Sequence, residues 1–336
     1  MARRRRKKGK GGLVFGFLVA AAVAAGIGLV YLSSPTGRGE TRYVRFKSGT
    51  TLDDALRELS ERNVIRNPGA AKVMIRLKGL PSTVKTGTFE VRPGMSLDQV
   101  MQSLQKPVRR MVRIPEGWWV ARVGARLEEN DVCKADDYIR LAAQPEKFAQ
   151  DVDFKLPEKS LEGYLYPDTY DLPPLLDAED VIRMQLKAFE SKVVKPLKPG
   201  AKLNRAVIMG SIIELEAAKD DERAKVAGVI ENRLRKGQRL EMDATVLYGI
   251  QEWRELGPGE VRNLKSDYNT YLHSGLTPGP IGSPGAKSIA AALKPDSHNL
   301  LYYVARPDRT HYFSATYPEH IENIKKARRE WREGSP

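Results

Sequence analysis

The chain has 336 residues, enough for two domains with proper cores, and its 41% hydrophobic and 29% charged residues are typical of a globular protein. A single cysteine, Cys133, excludes an internal disulfide, and the four scattered histidines lack metal-ligand spacing, so we expect no metal site and no cofactor. The net charge of +14 suggests an anionic partner, but seven of the positive charges lie in the first ten residues. No DNA or RNA recognition motif accompanies the rest, so we predict no nucleic-acid partner.

An apolar segment follows this basic cluster. Leu13 to Leu32 runs for twenty residues without a charge, which is long enough for a helix to cross a bilayer. The basic residues before it predict a cytoplasmic tail over 1–12, with the rest of the chain on the outer, periplasmic side of the cell inner membrane. A cleaved signal peptide is the competing interpretation, but its apolar region is usually only about 7–15 residues long. We therefore predict an uncleaved single-pass anchor over 13–32, followed by a linker over 33–40.

One pattern then appears three times: an alternating strand, a glycine turn, and apolar positions suited to one face of a helix. The turns are at Gly49, Gly94 and Gly117, and apolar residues follow each glycine by three, six and ten positions. Such units resemble the LysM-like modules that bind N-acetylated sugars, so we assign 41–108 to a LysM-like βα region and 109–159 to a connecting strand–helix region. Glycan binding and purely structural packing both fit the pattern. Trp118 and Trp119 could offer aromatic faces to sugars, but adjacent residues point different ways, so one of them is expected in the core.

The C-terminal half contains an uncharged run, Ala206 to Ile213, directly followed by Glu214. Its apolar side chains fall all around a 3.6-residue turn, which predicts a helix buried on every side. Burial disfavours the charged form of a carboxyl group, so Glu214 would suit a general acid acting on a glycosidic oxygen. The alternative is a helix end that turns polar in solvent. Glu216 lies about 200° further around the helix, so the two acids cannot both face one cleft.

Five further segments surround this helix in sequence: Ser160–Tyr170, Ile230–Leu234, Leu240–Tyr248, Tyr268–Tyr271 and Gly275–Gly285. With the basic start, the anchor and the helix, this set resembles the endolytic murein transglycosylases of the YceG-like (MltG) family over essentially the whole chain. The resemblance implies an α+β protein with a mixed α/β catalytic domain over 160–333. Leu215, Thr277 and Ser283 depart from the usual family residues, which affects fine substrate contacts but not the acid.

Carried over residue by residue, the catalytic glutamate of the family falls on Glu214. The resemblance also makes candidates for substrate binding and cleft shaping of seven residues: Glu162, Tyr166, Asn232, Asp243, Thr245, Tyr268 and Asn269. Turn or helix-cap roles for Asn232 and Asp243 are equally open.

The implied activity is that of a lyase that cuts the bond between N-acetylmuramic acid and N-acetylglucosamine within nascent peptidoglycan strands. In a lytic transglycosylase the muramic 6-hydroxyl attacks, giving a 1,6-anhydro end, so one carboxyl group can serve first as acid and then as base. The resemblance further implies a role in terminating glycan elongation, with peptidoglycan synthases as candidate partners. A hydrolase would need a second carboxylate, for which Glu162, Asp168 and Asp243 are candidates. The alternative from another class is a catalytically silent glycan-binding scaffold of the wall-synthesis machinery.

Overall fold

The computed structural model describes residues 10–257 and 259–333. Residues 1–9 of the predicted cytoplasmic tail therefore lie outside the described residues. The α-helices in this part of the chain are α1 Lys10–Leu32, α2 Leu52–Glu61, α3 Pro68–Lys78, α4 Leu97–Ser103, α5 Val120–Glu129, α6 Ala135–Ala142, α7 Ala178–Phe189, α8 Leu203–Glu216, α9 Arg223–Arg235, α10 Asp243–Ile250, α11 Ala286–Leu293 and α12 Tyr317–Glu333. The strands are β1 Arg42–Phe46, β2 Gly87–Val91, β3 Met111–Arg113, β4 Thr169–Asp171, β5 Tyr302–Ala305 and β6 His311–Ser314.

Helix α1 confirms the predicted apolar helix near the N-terminus. Its segment Val14–Leu32 is long and apolar enough to cross a membrane, and none of it is buried inside the protein. An apolar helix without buried residues is compatible with a membrane anchor, because lipid can cover the side chains that the protein leaves uncovered.

The chain divides into two compact units, and the first comprises residues 1–110 with 173–176. Strands β1 and β2 pair antiparallel in this unit, from Arg42 opposite Val91 to Phe46 opposite Gly87. Apolar residues of both strands and of α2, α3 and α4 form one buried core, in which the rings of Phe46 and Phe89 lie 5.9 Å apart. The Thr88 hydroxyl donates a hydrogen bond of 2.6 Å to the carbonyl of Pro174, which ties the short segment 173–176 to this unit.

The second unit comprises residues 111–172 and 177–336. Strand β3 pairs antiparallel with β4, and β5 pairs antiparallel with β6. Helix α8 packs against α9, α10 and α11. A Cβ at Gly210 of α8 would lie 3.3 Å from the backbone of Ile289 in α11, so a glycine there permits the close approach of the two helices. Helix and strand are mixed as predicted, although the strands in the described residues pair only two by two and the unit is dominated by helices.

All three predicted strand–glycine–helix patterns are confirmed. Gly49, Gly94 and Gly117 have φ values of 86°, 93° and 74°, in the left-handed region that favours glycine. Thr51 and Ser96 cap α2 and α4 by accepting hydrogen bonds from backbone N–H groups, as expected for helix starts. The strands of the first two patterns pair with each other, whereas the third pairs with β4. The region predicted as a connector, 109–159, therefore contributes β3, α5 and α6 to the second unit.

Candidate active site

Glu214 lies in the last turn of α8, and the eight residues before it, Ala206 to Ile213, are all buried as predicted. The Glu214 side chain is only 8% exposed, so the alternative of a solvated helix end does not hold. The sequence therefore placed an acid correctly at the end of a buried helix.

Two donors hold the Glu214 carboxylate from opposite oxygens. Arg223 Nη1 lies 3.0 Å from Oε1, and the backbone N–H of Gly285 donates a 2.8 Å hydrogen bond to Oε2. Gly285 is the N-cap residue of α11, so the positive end of that helix faces the carboxylate. The sequence-based reasoning considered burial alone and did not identify these two partners.

Arg223 is itself held in place by two further side chains. Its Nε lies 3.0 Å from Asp220 Oδ1, and its Nη1 also donates to the hydroxyl of Ser288 in α11. Lys287 pairs with Asp220 on the outer side. Since Arg223 is only 13% exposed, the pair with Glu214 is shielded from water and fixed in orientation.

One wall of the site is formed by the segment around Gly117 and the loop around Ser283. The Gly117 N–H donates to the Ser283 carbonyl over 2.8 Å, and the Ser283 N–H donates to the Trp118 carbonyl over 2.9 Å. A Cβ at Gly117 would lie 2.7 Å from Leu215 Cδ2, so this backbone rests directly on the end of α8. Exposed Glu116 lies at the same wall, close to Glu214. A Cβ added at Gly285 would lie 3.3 Å from Glu214 Oε2 and 3.4 Å from Glu116 Cγ, so both acids border the same point of the backbone.

A second carboxyl group, Glu162, is buried in the wall of a cavity of about 780 Å³. It accepts hydrogen bonds from the Val120 N–H at 3.0 Å and from the Tyr248 hydroxyl at 3.4 Å. Burial raises the pKa of Glu162 to about 7, although these hydrogen bonds oppose the rise. The cavity is also lined by Tyr164, Asn204, Tyr248, Tyr268 and Pro280.

The cavity lies towards the beginning of α8, away from Glu214. Gly163, next to Glu162 and with φ +81°, is packed so closely that a Cβ there would lie 2.9 Å from Val207 and 2.5 Å from Pro280. Val207 precedes Glu214 by seven residues, which is roughly 10 Å along a helix axis. Glu162 therefore lies beside the beginning of α8, whereas Glu214 lies at its end.

Aromatic rings gather on this side of the unit. Tyr248 and Tyr268 have ring centroids 4.7 Å apart, and Trp119 contacts both Tyr248 and Trp253. Trp119 is buried, which confirms that one of the two adjacent tryptophans belongs to the core. Among the seven predicted binding residues, the structure thus brings Glu162 and Tyr268 together in one cavity.

Three of the predicted binding residues have their polar atoms bonded within the protein. Asn269 is fully buried, and its amide donates to the carbonyls of Val261 and Leu264 at 2.7 Å each. Asn232 donates to the carbonyls of His298 and Leu300, which fixes the chain before β5. Thr245 is fully buried and bonds Thr270 and the Met242 carbonyl. Their observed contacts are structural.

The remaining predicted residues lie apart from the Glu162 cavity lining. The ring of Tyr166 lies under Lys192, whose ammonium group also pairs with Asp168. Asp243 is the exposed first residue of α10 and accepts a 2.7 Å hydrogen bond from the Tyr271 hydroxyl. Asp243 follows the N-cap residue, Met242, and no side chain caps this helix, so the helix-cap alternative is not confirmed.

Glu216 has surroundings of its own, as its angle on the helix predicted. It accepts a 2.9 Å hydrogen bond from the Tyr303 hydroxyl of β5, and burial raises its pKa to about 7. Sequence reasoning did not identify Arg223 and Gly285 as partners of Glu214, nor Tyr248 as a partner of Glu162. Arg223 stands in a charged run that reads as a solvated surface, so its contact with Glu214 gave no local signal.

The candidate site is therefore built on a glutamate at the end of a buried helix that is held by one arginine and one helix N-terminus. The chain belongs to the YceG-like family, whose family model matches residues 44–326. It is 31% identical over 297 residues to the protein named endolytic murein transglycosylase of Bacillus subtilis, covering 82% of each chain.

Two further comparisons agree. A protein of the same name from Streptococcus pneumoniae is 27% identical over 280 residues, which cover 72% of this chain and 50% of the relative, so the chain spans about half of that relative's length. The crystal structure of a YceG-like protein from Listeria monocytogenes aligns with a TM-score of 0.56 at 31% identity, covering 85% of this chain and 99% of the other.

Proposed function

We propose that this protein is a membrane-anchored lytic transglycosylase that cuts within peptidoglycan strands, with Glu214 as its catalytic residue. The enzyme class and the peptidoglycan substrate follow from membership of the YceG-like family and from the names of the relatives. The single observation that supports Glu214 is its burial at the end of α8 between Arg223 and the N-terminus of α11.

In the proposed reaction, protonated Glu214 gives its proton to the oxygen that bridges the two sugars. The bond from that oxygen to the anomeric carbon of the muramic acid breaks, its electron pair stays on the leaving oxygen, and positive charge develops on the sugar carbon. The muramic 6-hydroxyl then attacks this carbon, and its proton returns to Glu214. Arg223 and the Gly285 N–H stabilise the carboxylate that exists between the two proton transfers.

A hydrolase is the second candidate, and one contact favours it. Exposed Glu116 shares the wall with Glu214, so it is better placed to act as a second carboxylate than Glu162, Asp168 or Asp243. The mass of the product separates the two reactions, because a 1,6-anhydro end is one water lighter than a hydrolysed reducing end. A product with reducing ends alone would favour the hydrolase.

The decisive test is Glu214→Gln, assayed on uncrosslinked glycan strands. Glutamine keeps the volume and can still accept the Gly285 hydrogen bond, but it has no acidic proton, so activity should fall by about 10²–10⁴. Glu216→Gln is the matched control on the same helix and should lose far less. A Glu214→Gln variant that cuts within tenfold of the normal rate would remove Glu214 from this role, and a normal enzyme that binds strands without cutting them would indicate the scaffold.

The proposal extends to location and to the first unit. The exposed apolar helix α1 and the basic residues before it support a single-pass anchor with the second unit on the periplasmic side. The antiparallel pair β1–β2 with its surrounding helices supports a small module that we assign to the LysM-like class. Membrane attachment would restrict the enzyme to strands near the membrane, which fits a role in terminating nascent glycan beside the synthases.

A further inference from the structure

Trp118 and two arginines of α5 form a cluster that the proposed reaction does not use. The guanidinium carbon of Arg122 lies 4.1 Å from the centre of the Trp118 ring, and that of Arg126 lies 5.1 Å from it. The arginines are four residues apart and therefore share one face of the helix. A guanidinium already stacks on Trp118, so this ring face is not free for a sugar, contrary to one reading of the tryptophan pair.

The positive charge of this basic cluster is not neutralised by the surrounding protein. In residues 10–257 and 259–333, no ion pair joins Arg122 or Arg126 to an acidic side chain, and Arg126 Nε is buried without a hydrogen-bond partner. Burial and the neighbouring charge of Arg126 both lower the pKa of Arg122. Two arginines held side by side repel each other, and an anion beside them would relieve that repulsion.

The basic cluster adjoins the wall of the Glu214 site. Trp118 follows Gly117, whose backbone rests on Leu215, and the Trp118 carbonyl accepts the hydrogen bond from Ser283. Ser283 precedes Gly285, the residue that holds Glu214, by two positions. A ligand on the basic cluster would therefore lie beside a glycan at Glu214 rather than at a separate surface.

We propose that Arg122 and Arg126, held against the ring of Trp118, bind the carboxylates of the peptide attached to the muramic acid next to the bond that is cut. The sugars of the strand are uncharged, so its negative charge comes from the carboxyl groups of the attached peptides. Guanidinium groups bind carboxylates with paired hydrogen bonds, and both arginines keep part of their side chains exposed to solvent. This inference rests on the proposed function and adds a preference for strands with anionic peptides.

The test compares two substrates cut by the full chain in detergent. One is an uncrosslinked strand whose peptides carry free carboxylates, and the other is the same strand with those carboxylates converted to amides. The double variant Arg122→Gln/Arg126→Gln should reduce the preference for the anionic strand, measured as a ratio of kcat/KM values, by about tenfold. Arg328→Gln/Arg329→Gln removes the same charge from exposed positions of α12 and should keep that preference.

Binding of the same two strands to Glu214→Gln protein, with and without the two arginine substitutions, provides a readout that needs no cutting. The proposed function fails if the normal enzyme cuts neither strand. The binding measurement tests the carboxylate site independently of that outcome. A loss of affinity for the anionic strand alone supports the basic cluster as a carboxylate site. An equal loss for both strands would assign the arginines a structural role on Trp118, and no loss for either would also overturn the proposal.

Discussion

Replacing Glu162 by glutamine should change how the stability of the protein depends on pH. The Glu162 residue is 6% exposed, and burial raises its pKa from 4.5 to about 7. Glutamine has nearly the same volume and its oxygen can still accept the hydrogen bond from the Val120 N–H, so the cavity wall should keep its shape. The variant differs from the normal protein chiefly in having no group that ionises at this position.

The sign and size of this change in stability follow from the linkage between folding and proton binding. Below pH about 4.5 both the folded and the unfolded chain hold the proton, and above that pH the unfolded chain releases it first, so the contribution of Glu162 to stability is lost as pH rises to about 7. At about 1.4 kcal/mol for each pKa unit, the free energy of unfolding should fall by roughly 3 kcal/mol over this window. Glu162→Gln should lack that slope and be relatively more stable at neutral pH.

Thermal unfolding of the full chain in detergent at several pH values between 4 and 8 measures this effect. A change of about 1 kcal/mol in the free energy of unfolding shifts the Tm by about 2–4 °C for a unit of this size. The Tm difference between the variant and the normal protein should therefore grow by roughly 6–12 °C across this pH range. Glu158→Gln, an exposed acid lining the same cavity, is the matched control and should parallel the normal protein. Parallel curves for Glu162→Gln as well would show that Glu162 does not titrate in this window.

Two further predictions concern the Glu214–Arg223 pair and the apolar N-terminal helix. Arg223→Gln should lower kcat by about 10–10², because the carboxylate formed after proton transfer loses its charged partner. Arg223→Lys keeps the charge and should restore part of the rate. Equal rates for the glutamine and lysine variants would argue against a charge effect. A reporter fused after Pro336 should be accessible only from outside the cytoplasmic membrane, and the protein should stay in the membrane fraction. A mature chain that begins near Gly26 would instead identify the apolar segment as a cleaved signal.

The parts of the fold that the sequence predicted well are those encoded over short distances. The alternation before Gly49, Gly94 and Gly117 and the helical spacing after them determine which side chains are buried, and burial in turn fixes the local elements. The all-apolar run of α8 is of the same kind, since no arrangement that exposes it would be favourable. Local periodicity therefore predicted the helix that carries Glu214 and its orientation relative to Glu216.

The polar contacts could not be predicted in the same way. Asn232 bonds carbonyl groups more than sixty residues away in sequence, at His298 and Leu300, and nothing near Asn232 indicates that its amide is already satisfied. The role of Gly285 depends on α11 packing close to α8, which requires Gly210 at one point of contact. Such pairings depend on tertiary geometry, so the sequence identified polar residues without showing which remain available to a substrate.

The contacts of Glu214 bear most directly on the proposed mechanism. Raised pKa values point to Glu162 and Glu216, each near 7 through burial, and a general acid is often sought among such groups. Glu214 instead has a cation and a helix N-terminus that stabilise its carboxylate. The proposed reaction requires a carboxyl group that gives up a proton and later takes one back. Such a group exists as a carboxylate between the two transfers, and Arg223 and the Gly285 N–H are placed to bind both of its oxygens in that state. The contacts of Glu214 are therefore compatible with the proposal that one residue serves as acid and then as base.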